Sequence, residues 1–134
     1  QCSAGKPHRI SGFRFTGNGD IWVRGTFSGF RIDHNEFYNI GAEAIIVDAG
    51  IDLQGPLYGL IDNNQFISTG GNYRAILMYS GGVDFGVRTN RTNESHLGTV
   101  NNIYIEDNTF NFATQSVAGS GVIDSNSTAA WVFR

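Results

Sequence analysis

Three eight-residue windows of the chain share one pattern of apolar and polar positions. They read FRIDHNEF at residues 30–37, GLIDNNQF at 59–66 and IYIEDNTF at 103–110. In each window the third residue is isoleucine, the fourth is acidic, the sixth is asparagine and the eighth is phenylalanine. A weaker copy, FRFTGN, places Phe15 in the isoleucine position and Asn18 in the asparagine position. Because the spacing between copies varies, the pattern predicts one structural turn repeated with connections of different length.

The order of apolar residues within each window predicts a strand followed by a corner. Positions one to four mostly alternate between apolar and polar, which is the period of a strand with one buried face. The next strongly apolar residue is the eighth, and a strand changes parity only at a bend or an extra residue. We place the bend at the fifth position, occupied by Gly17, His34, Asn63 and Asp107. These residue types tolerate positive φ best, so we interpret His34 as a corner residue rather than a general base.

A second apolar segment follows each corner. The four segments are DIWVRG (20–25), EAIIVDAG (43–50), RAILMYSG (74–81) and SGVIDS (120–125). Strand, corner, phenylalanine segment, second strand and glycine turn then make one coil, and stacked coils align like residues at about 4.8 Å spacing. The sequence thus predicts an all-β fold, a right-handed parallel β-helix of about four coils. The predicted asparagine and phenylalanine ladders contain Asn18, Asn35, Asn64 and Asn108, and Phe37, Phe66 and Phe110.

Composition agrees with strands and turns and argues against two classes of partner. The 134 residues include 18 glycines and two prolines, and we find no helical periodicity. Only 16% of the residues are charged and the formal net charge is −3, so nothing in the electrostatics indicates nucleic acid. There is no long apolar run, and no membrane span is predicted. Cys2 is the only cysteine, which excludes an internal disulfide.

We expect residues 1–134 to form a single β-helix domain. The last residues, AAWVFR (129–134), match the first strand of another coil but lack the corner and its asparagine. We therefore expect either a fragment of a longer solenoid or a solenoid that a partner completes. The one long insertion, residues 81–102, is predicted to be a loop, and loops of this length are often functional.

The repeated windows resemble the pectate-lyase-like superfamily of right-handed parallel β-helices, over nearly the whole chain. Asparagine corners and aliphatic strands are shared by lyases, hydrolases, adhesins and phage tailspikes, so the resemblance bears on fold more than on activity. In enzymes of this superfamily the substrate groove commonly lies on the outer face of one parallel sheet. The resemblance implies an extracellular or cell-surface protein that binds or processes polysaccharide, similar to a lyase or a glycoside hydrolase.

The acidic fourth position of the windows is the strongest candidate site. Its residues are Asp33, Asp62 and Glu106. Stacked like charges are expected to raise one another's pKa, and such a column suits an acid/base pair of glycoside hydrolysis or a Ca²⁺ ion. The superfamily's lyases pair acidic calcium ligands with an arginine or lysine base, and by this resemblance Arg31 is the candidate base. The alternative is a solvated face whose acids pair with Arg14, Arg31 and Arg134.

Further candidate contacts lie beside this column and in the long loop. The residues suited to a sugar chain are Tyr104, Arg88, Arg91 and His96. Three sequons make Asn90, Asn93 and Asn126 candidate glycosylation positions. The alternative function is a non-enzymatic structural or adhesive module that self-associates end to end, because uncapped coils can add to a neighbour's edge and build a fibre.

Overall fold

The computed structural model describes residues 7–24, 27–48, 57–70, 74–79, 102–113, 122–126 and 131–134. Within these ranges the protein is all-β, with thirteen strands in three sheets, and all strand pairs are parallel. No helix in the same ranges is long and apolar enough to cross a membrane.

Each sheet takes every third strand of the chain. The first sheet contains β1 (His8–Ser11), β4 (Phe27–Asp33), β7 (Leu57–Asp62), β10 (Ile103–Glu106) and β13 (Trp131–Phe133). The second contains β2 (Arg14–Thr16), β5 (Glu36–Tyr38), β8 (Gln65–Ser68) and β11 (Thr109–Phe112). The third contains β3 (Ile21–Arg24), β6 (Glu43–Asp48), β9 (Arg74–Tyr79) and β12 (Ile123–Asn126). The chain visits the sheets in rotation, a solenoid-like arrangement compatible with a parallel β-helix.

The inward positions of the three sheets form one apolar core. Ile32, Ile61 and Ile105 occupy the same position on neighbouring strands of the first sheet, and all three are buried. Gly59 interrupts the apolar column at the first position of the window. The ring of Phe30, on the adjacent strand, occupies the space that a side chain on Gly59 would need. One large ring therefore fills two places in the core, which explains the missing apolar residue.

Phenylalanine rings stack through the centre of the second sheet. The ring centroids are 4.9 Å apart for Phe15 and Phe37, 4.9 Å for Phe37 and Phe66, and 5.1 Å for Phe66 and Phe110. All three pairs are nearly parallel, with interplanar angles of 10° or less. Phe37 and Phe66 are fully buried, so these two rings contribute the most apolar burial to the stack.

Asparagine side chains connect successive corners between the first and second sheets. Nδ2 of Asn35 donates to Oδ1 of Asn64 at 3.1 Å, and Nδ2 of Asn64 donates to Oδ1 of Asn108 at 3.0 Å. The backbone N–H groups of Asn35 and Asn64 donate to the same two oxygens, at 3.0 Å each. Nδ2 of Asn64 also donates to the Ile32 carbonyl at 2.8 Å. Buried amides and corner backbone thus satisfy one another.

The predicted positive φ is present at all four corner residues. The values are 80° for Gly17, 55° for His34, 53° for Asn63 and 51° for Asp107. His34, Asn63 and Asp107 each follow a strand of the first sheet, whereas Gly17 follows β2 of the second sheet. Gly17 is therefore the counterpart of Asn39, which follows β5 and has a φ of 49°.

The first repeat is aligned differently from the prediction. Ile10 lies beside Ile32, and Phe15 lies beside Phe37. Phe15 therefore occupies the phenylalanine position and not the isoleucine position, and Asn18 is exposed instead of stacked with the other asparagines. The prediction failed because FRF alternates apolar residues and fits either position. The pairing of the preceding strand, HRIS at 8–11, decides between them.

Candidate functional site

The three predicted acids lie in one column at the edge of the first sheet. Asp33 is paired in register with Asp62, and Asp62 with Glu106. Both aspartates are buried, whereas the Glu106 side chain is partly exposed. A buried carboxylate requires a positive or hydrogen-bonding partner, because removal from water strongly disfavours an unpaired charge.

Each aspartate is bound by an arginine from the preceding strand of the sheet. Arg9 on β1 binds Asp33 with two bonds: Nε donates to Oδ1 at 2.7 Å, and Nη2 donates to Oδ2. Arg31 on β4 binds Asp62 in the same way, with Nε to Oδ1 at 3.0 Å and Nη2 to Oδ2 at 2.6 Å. The guanidinium group reaches one strand across and two residues along the sheet. This bidentate geometry is the strongest form of arginine–carboxylate pairing.

The pair with Arg9 lowers the pKa of Asp33 instead of raising it. The hydrogen bond from Arg9 is the main reason that the pKa of Asp33 lies well below its usual range. Burial opposes this shift, while His34, whose Nδ1 is 2.7 Å from Oδ2, and the charge of Arg31 add to it. The expectation that stacked acids raise one another's pKa is therefore wrong for Asp33. Arginines alternate with the acids, so a positive charge is in direct contact with the carboxylate.

The pattern changes at β7, where the second position is Leu60 instead of arginine. Glu106, on the next strand, is bound by Arg134 from the far side, with Nε donating to Oε1 at 3.1 Å and Nη2 to the same oxygen. The Arg134 guanidinium also lies 4.8 Å from the ring centroid of Tyr104. Replacing one arginine by leucine thus leaves apolar surface exposed between two ion pairs.

A groove of about 490 Å³ opens at this place on the outer face of the first sheet. Its apolar and aromatic residues are Phe30, Tyr58, Leu60 and Tyr104, and its charged residues are Arg31, Glu106 and Arg134. Gly29, Gly59 and Asn102 complete the lining. An apolar surface with a few placed polar groups is the usual composition of a ligand site. We call this surface the outer groove.

The outer groove brings together some of the predicted site residues. Arg31, Tyr104 and Glu106 line it. Asp33 and Asp62 are not part of its lining, because their carboxylates are turned to Arg9 and Arg31. Arg14 does not pair with the acid column; it binds Glu36 of the second sheet at 2.8 Å.

Sequence reasoning missed Arg9, Tyr58 and Asn102. Aligning HRIS with FRID would have revealed Arg9, because the two arginines share one position. Within the described residues, no three histidine, cysteine, aspartate or glutamate side chains are grouped as metal ligands. Ca²⁺ binding by Asp33, Asp62 and Glu106 therefore has no geometric support in this part of the chain.

Several predicted residues lie outside the described ranges. They are Arg88, Asn90, Arg91, Asn93 and His96 of the segment 81–102, which the sequence predicts to be a loop. Asn126 is the last residue of β12, and its side chain also lies outside the description. Their roles in sugar contact and glycosylation stay predictions.

No protein-family model matches this chain, and no curated protein or solved structure does either. Membership of the pectate-lyase-like superfamily therefore stays a prediction from the repeated windows. Function has to be inferred from the chemistry of the outer groove itself.

Proposed function

We propose that this protein binds a polysaccharide chain in the outer groove, on a right-handed parallel β-helix of about four coils that belongs to the pectate-lyase-like superfamily. The observation that carries the proposal is the row of Tyr58, Leu60 and Tyr104 beside Arg31, Glu106 and Arg134. A sugar ring has apolar faces and a rim of hydroxyl groups. Aromatic side chains suit such faces, and charged groups at the edge suit the hydroxyls.

The direction of the groove supports an elongated ligand. Arg31, Leu60 and Tyr104 hold the same position on three neighbouring strands, so the groove runs across the strands and along the stack. Neighbouring strands are about 4.8 Å apart, which spaces these side chains evenly. A chain molecule lying in this direction would contact one side chain on each strand.

Binding is favoured over cleavage by the state of the acids. A general acid needs a proton near neutral pH, and the lowered pKa of Asp33 keeps that carboxyl ionised. Arg31 is not available as a general base, because the hydrogen bond with Asp62 raises the pKa of its guanidinium further and keeps it protonated. Glycoside hydrolysis uses two carboxyl groups, and among the residues that the structure describes only Glu106 brings one to the outer groove. These residues therefore support polysaccharide binding better than they support lyase or glycoside hydrolase activity.

The test is a panel of neutral and acidic polysaccharides, assayed for binding and for turnover with and without Ca²⁺. Tyr104→Ala should weaken binding by about tenfold or more, as loss of a central aromatic contact does. Tyr38→Ala is the matched control, because Arg14 lies 4.9 Å from the Tyr38 ring on the second sheet, away from the outer groove. Failure of the parent protein to bind any polysaccharide would contradict the proposal. An extracellular or cell-surface location belongs to the same proposal.

The structural alternative is self-association by stacking of strands. Phe133 favours it, because this side chain is 57% exposed although the equivalent Ile105 is buried. A further strand laid against β13 would cover the ring. Sedimentation velocity over a range of concentrations, with Phe133→Ser as the comparison, should then detect larger species that the variant loses. A parent protein that stays monomeric throughout would contradict this alternative.

A further inference from the structure

We infer that the outer groove selects an uncharged glycan, and that Nδ2 of Asn102 donates a hydrogen bond to an oxygen of that ligand. The inference rests on the proposed polysaccharide binding and names its ligand class. Two independent features carry it. Arg31, Glu106 and Arg134, the charged residues of the described lining, are all paired, and one lining residue has an unpaired donor.

The charged groups of the outer groove are already neutralised. Arg31 is held through Nε and Nη2 by Asp62, whose side chain is only 6% exposed, and Arg134 is held by Glu106. A sugar carboxylate that took Arg31 would leave the buried Asp62 carboxylate with only the amide of Asn63, whose Nδ2 donates to Oδ2 at 2.8 Å, and without its positive partner, which is strongly unfavourable. A hydroxyl group makes no such demand. Charge complementarity therefore favours a neutral chain over a uronic acid polymer.

Asn102 is a buried residue of the lining, and its side chain is fixed at one end. The residue is 3% exposed and directly precedes β10. Its Oδ1 accepts from the Ile103 N–H at 2.7 Å, and its carbonyl accepts from the Gly59 N–H at 3.1 Å. The reverse amide orientation would bring two donors together, so the contact with Ile103 determines which end is nitrogen.

The nitrogen end of Asn102 is the unpaired group. In the part of the chain that the structure describes, Nδ2 is buried and has no hydrogen-bond partner. Buried donors in folded proteins nearly always have one. Asn102 lines the outer groove. An acceptor oxygen of a ligand bound at this end of the groove would give Nδ2 its missing hydrogen-bond partner. A site whose buried donor binds a ligand hydroxyl discriminates well against ligands that lack this hydroxyl.

The ligand class is tested with neutral oligosaccharides of hexoses and with oligogalacturonate of equal length. We expect the neutral chains to bind and the acidic chain to bind at least about tenfold more weakly, a difference of about 1.4 kcal/mol. Binding of the neutral chains should change little between low and high NaCl, because no net charge is neutralised. Preference for oligogalacturonate would overturn the ligand class and leave polysaccharide binding standing.

The role of Asn102 is tested by side-chain amide resonances of the isotope-labelled parent protein, assigned by triple-resonance NMR. Titration with a neutral oligosaccharide that binds should shift the Asn102 resonances. Those of Asn111, an exposed residue on β11 of the second sheet, should stay in place. If the ligand binds and the Asn102 resonances do not move, the assignment of this donor is wrong.

Asn102→Asp is the matched variant, because a carboxylate oxygen can still accept from the Ile103 N–H while the donor is lost. We expect about a tenfold weaker affinity for neutral chains, against less than about a twofold change for Asn111→Asp. Unchanged affinity in a folded Asn102→Asp protein would overturn the inference. Absence of binding to every chain by the parent would instead overturn the proposed function, so the two failures are distinguishable.

Discussion

The outer face of the first sheet has two halves built from the same two outward positions. In the half formed by β1, β4 and the edge of β7, arginine at the second position binds aspartate at the fourth position of the next strand. In the half formed by β7, β10 and β13, the second position holds Leu60 and Tyr104, and a groove opens. The strands pair in parallel in both halves, and Arg31, Leu60 and Tyr104 are in register. The difference indicates that the residue at the second position determines whether this face presents a wall of ion pairs or an apolar groove.

The reach of arginine explains the difference. The arginine guanidinium lies over the neighbouring strand and binds a buried aspartate there. The carboxylate is therefore shielded from solvent and already occupied by an ion pair. Leucine cannot reach that far or neutralise a charge. Glu106 is consequently bound from the opposite direction by Arg134, and it stays partly exposed at the edge of the outer groove.

The largest expected effect comes from the core that supports both halves. Phe66 is fully buried between Phe37 and Phe110. Phe66→Ala should lower the free energy of unfolding by about 3–5 kcal/mol, measured by urea denaturation. Phe110→Ala should cost less, because that ring is only partly buried. Two separate unfolding transitions in the parent would show that the halves do not share one core.

The second comparison removes one acid from each half. Asp33→Asn should lower the free energy of unfolding by about 1–3 kcal/mol, because a buried group loses hydrogen bonds to a charged partner. Glu106→Gln should change it by less than about 1 kcal/mol, because its ion pair is partly solvated. Chemical denaturation of both variants measures the difference. Equal losses in Asp33→Asn and Glu106→Gln would mean that the buried and the partly exposed acid contribute equally to stability.

Lowering the pH should remove the stability that the ion pair between Arg9 and Asp33 contributes. The folded pKa of Asp33 is lowered by Arg9, so the unfolded chain takes up the proton first, near its ordinary value of 3.8. The stability from this pair is present above that pH and is lost as pH falls below it. The gap in unfolding free energy between the parent and Asp33→Asn should therefore shrink on acidification from neutral pH. A gap that is constant with pH would contradict the role of Arg9.

The smallest expected change in stability belongs to Leu60→Arg, which extends the wall into the groove. An arginine at this position should bind Glu106 as Arg31 binds Asp62, and change the unfolding free energy by less than about 1 kcal/mol. Its side chain should fill the outer groove and abolish polysaccharide binding. Leu60→Met, which keeps the surface apolar, is the control. Full binding by a folded Leu60→Arg protein would show that the groove is not the site.

Much of the fold was predictable because its signals are local. Alternating apolar residues predict strands, and the residues most tolerant of positive φ stand at the corners, where His34, Asn63 and Asp107 all adopt it. The spacing of isoleucine, asparagine and phenylalanine repeats three times, which is enough to place the later strands. The first repeat was misaligned because Phe13 and Phe15 fit two positions of the same pattern.

The sequence by itself determined the parallel stack of strands and, in the three complete windows, the corner residues and the buried isoleucine and phenylalanine positions. Only the tertiary structure decided that Arg9 and Arg31 pair with the two aspartates, that the outer groove opens beside Leu60, and that Nδ2 of Asn102 has no partner among the described residues. Backbone preference and alternation depend on neighbours in the chain, so they can be read residue by residue. Arg9 and Asp33 are 24 residues apart, and Arg31 and Asp62 are 31 apart. Whether such residues meet depends on strand register and on the length of each side chain, and these are set when the strands stack.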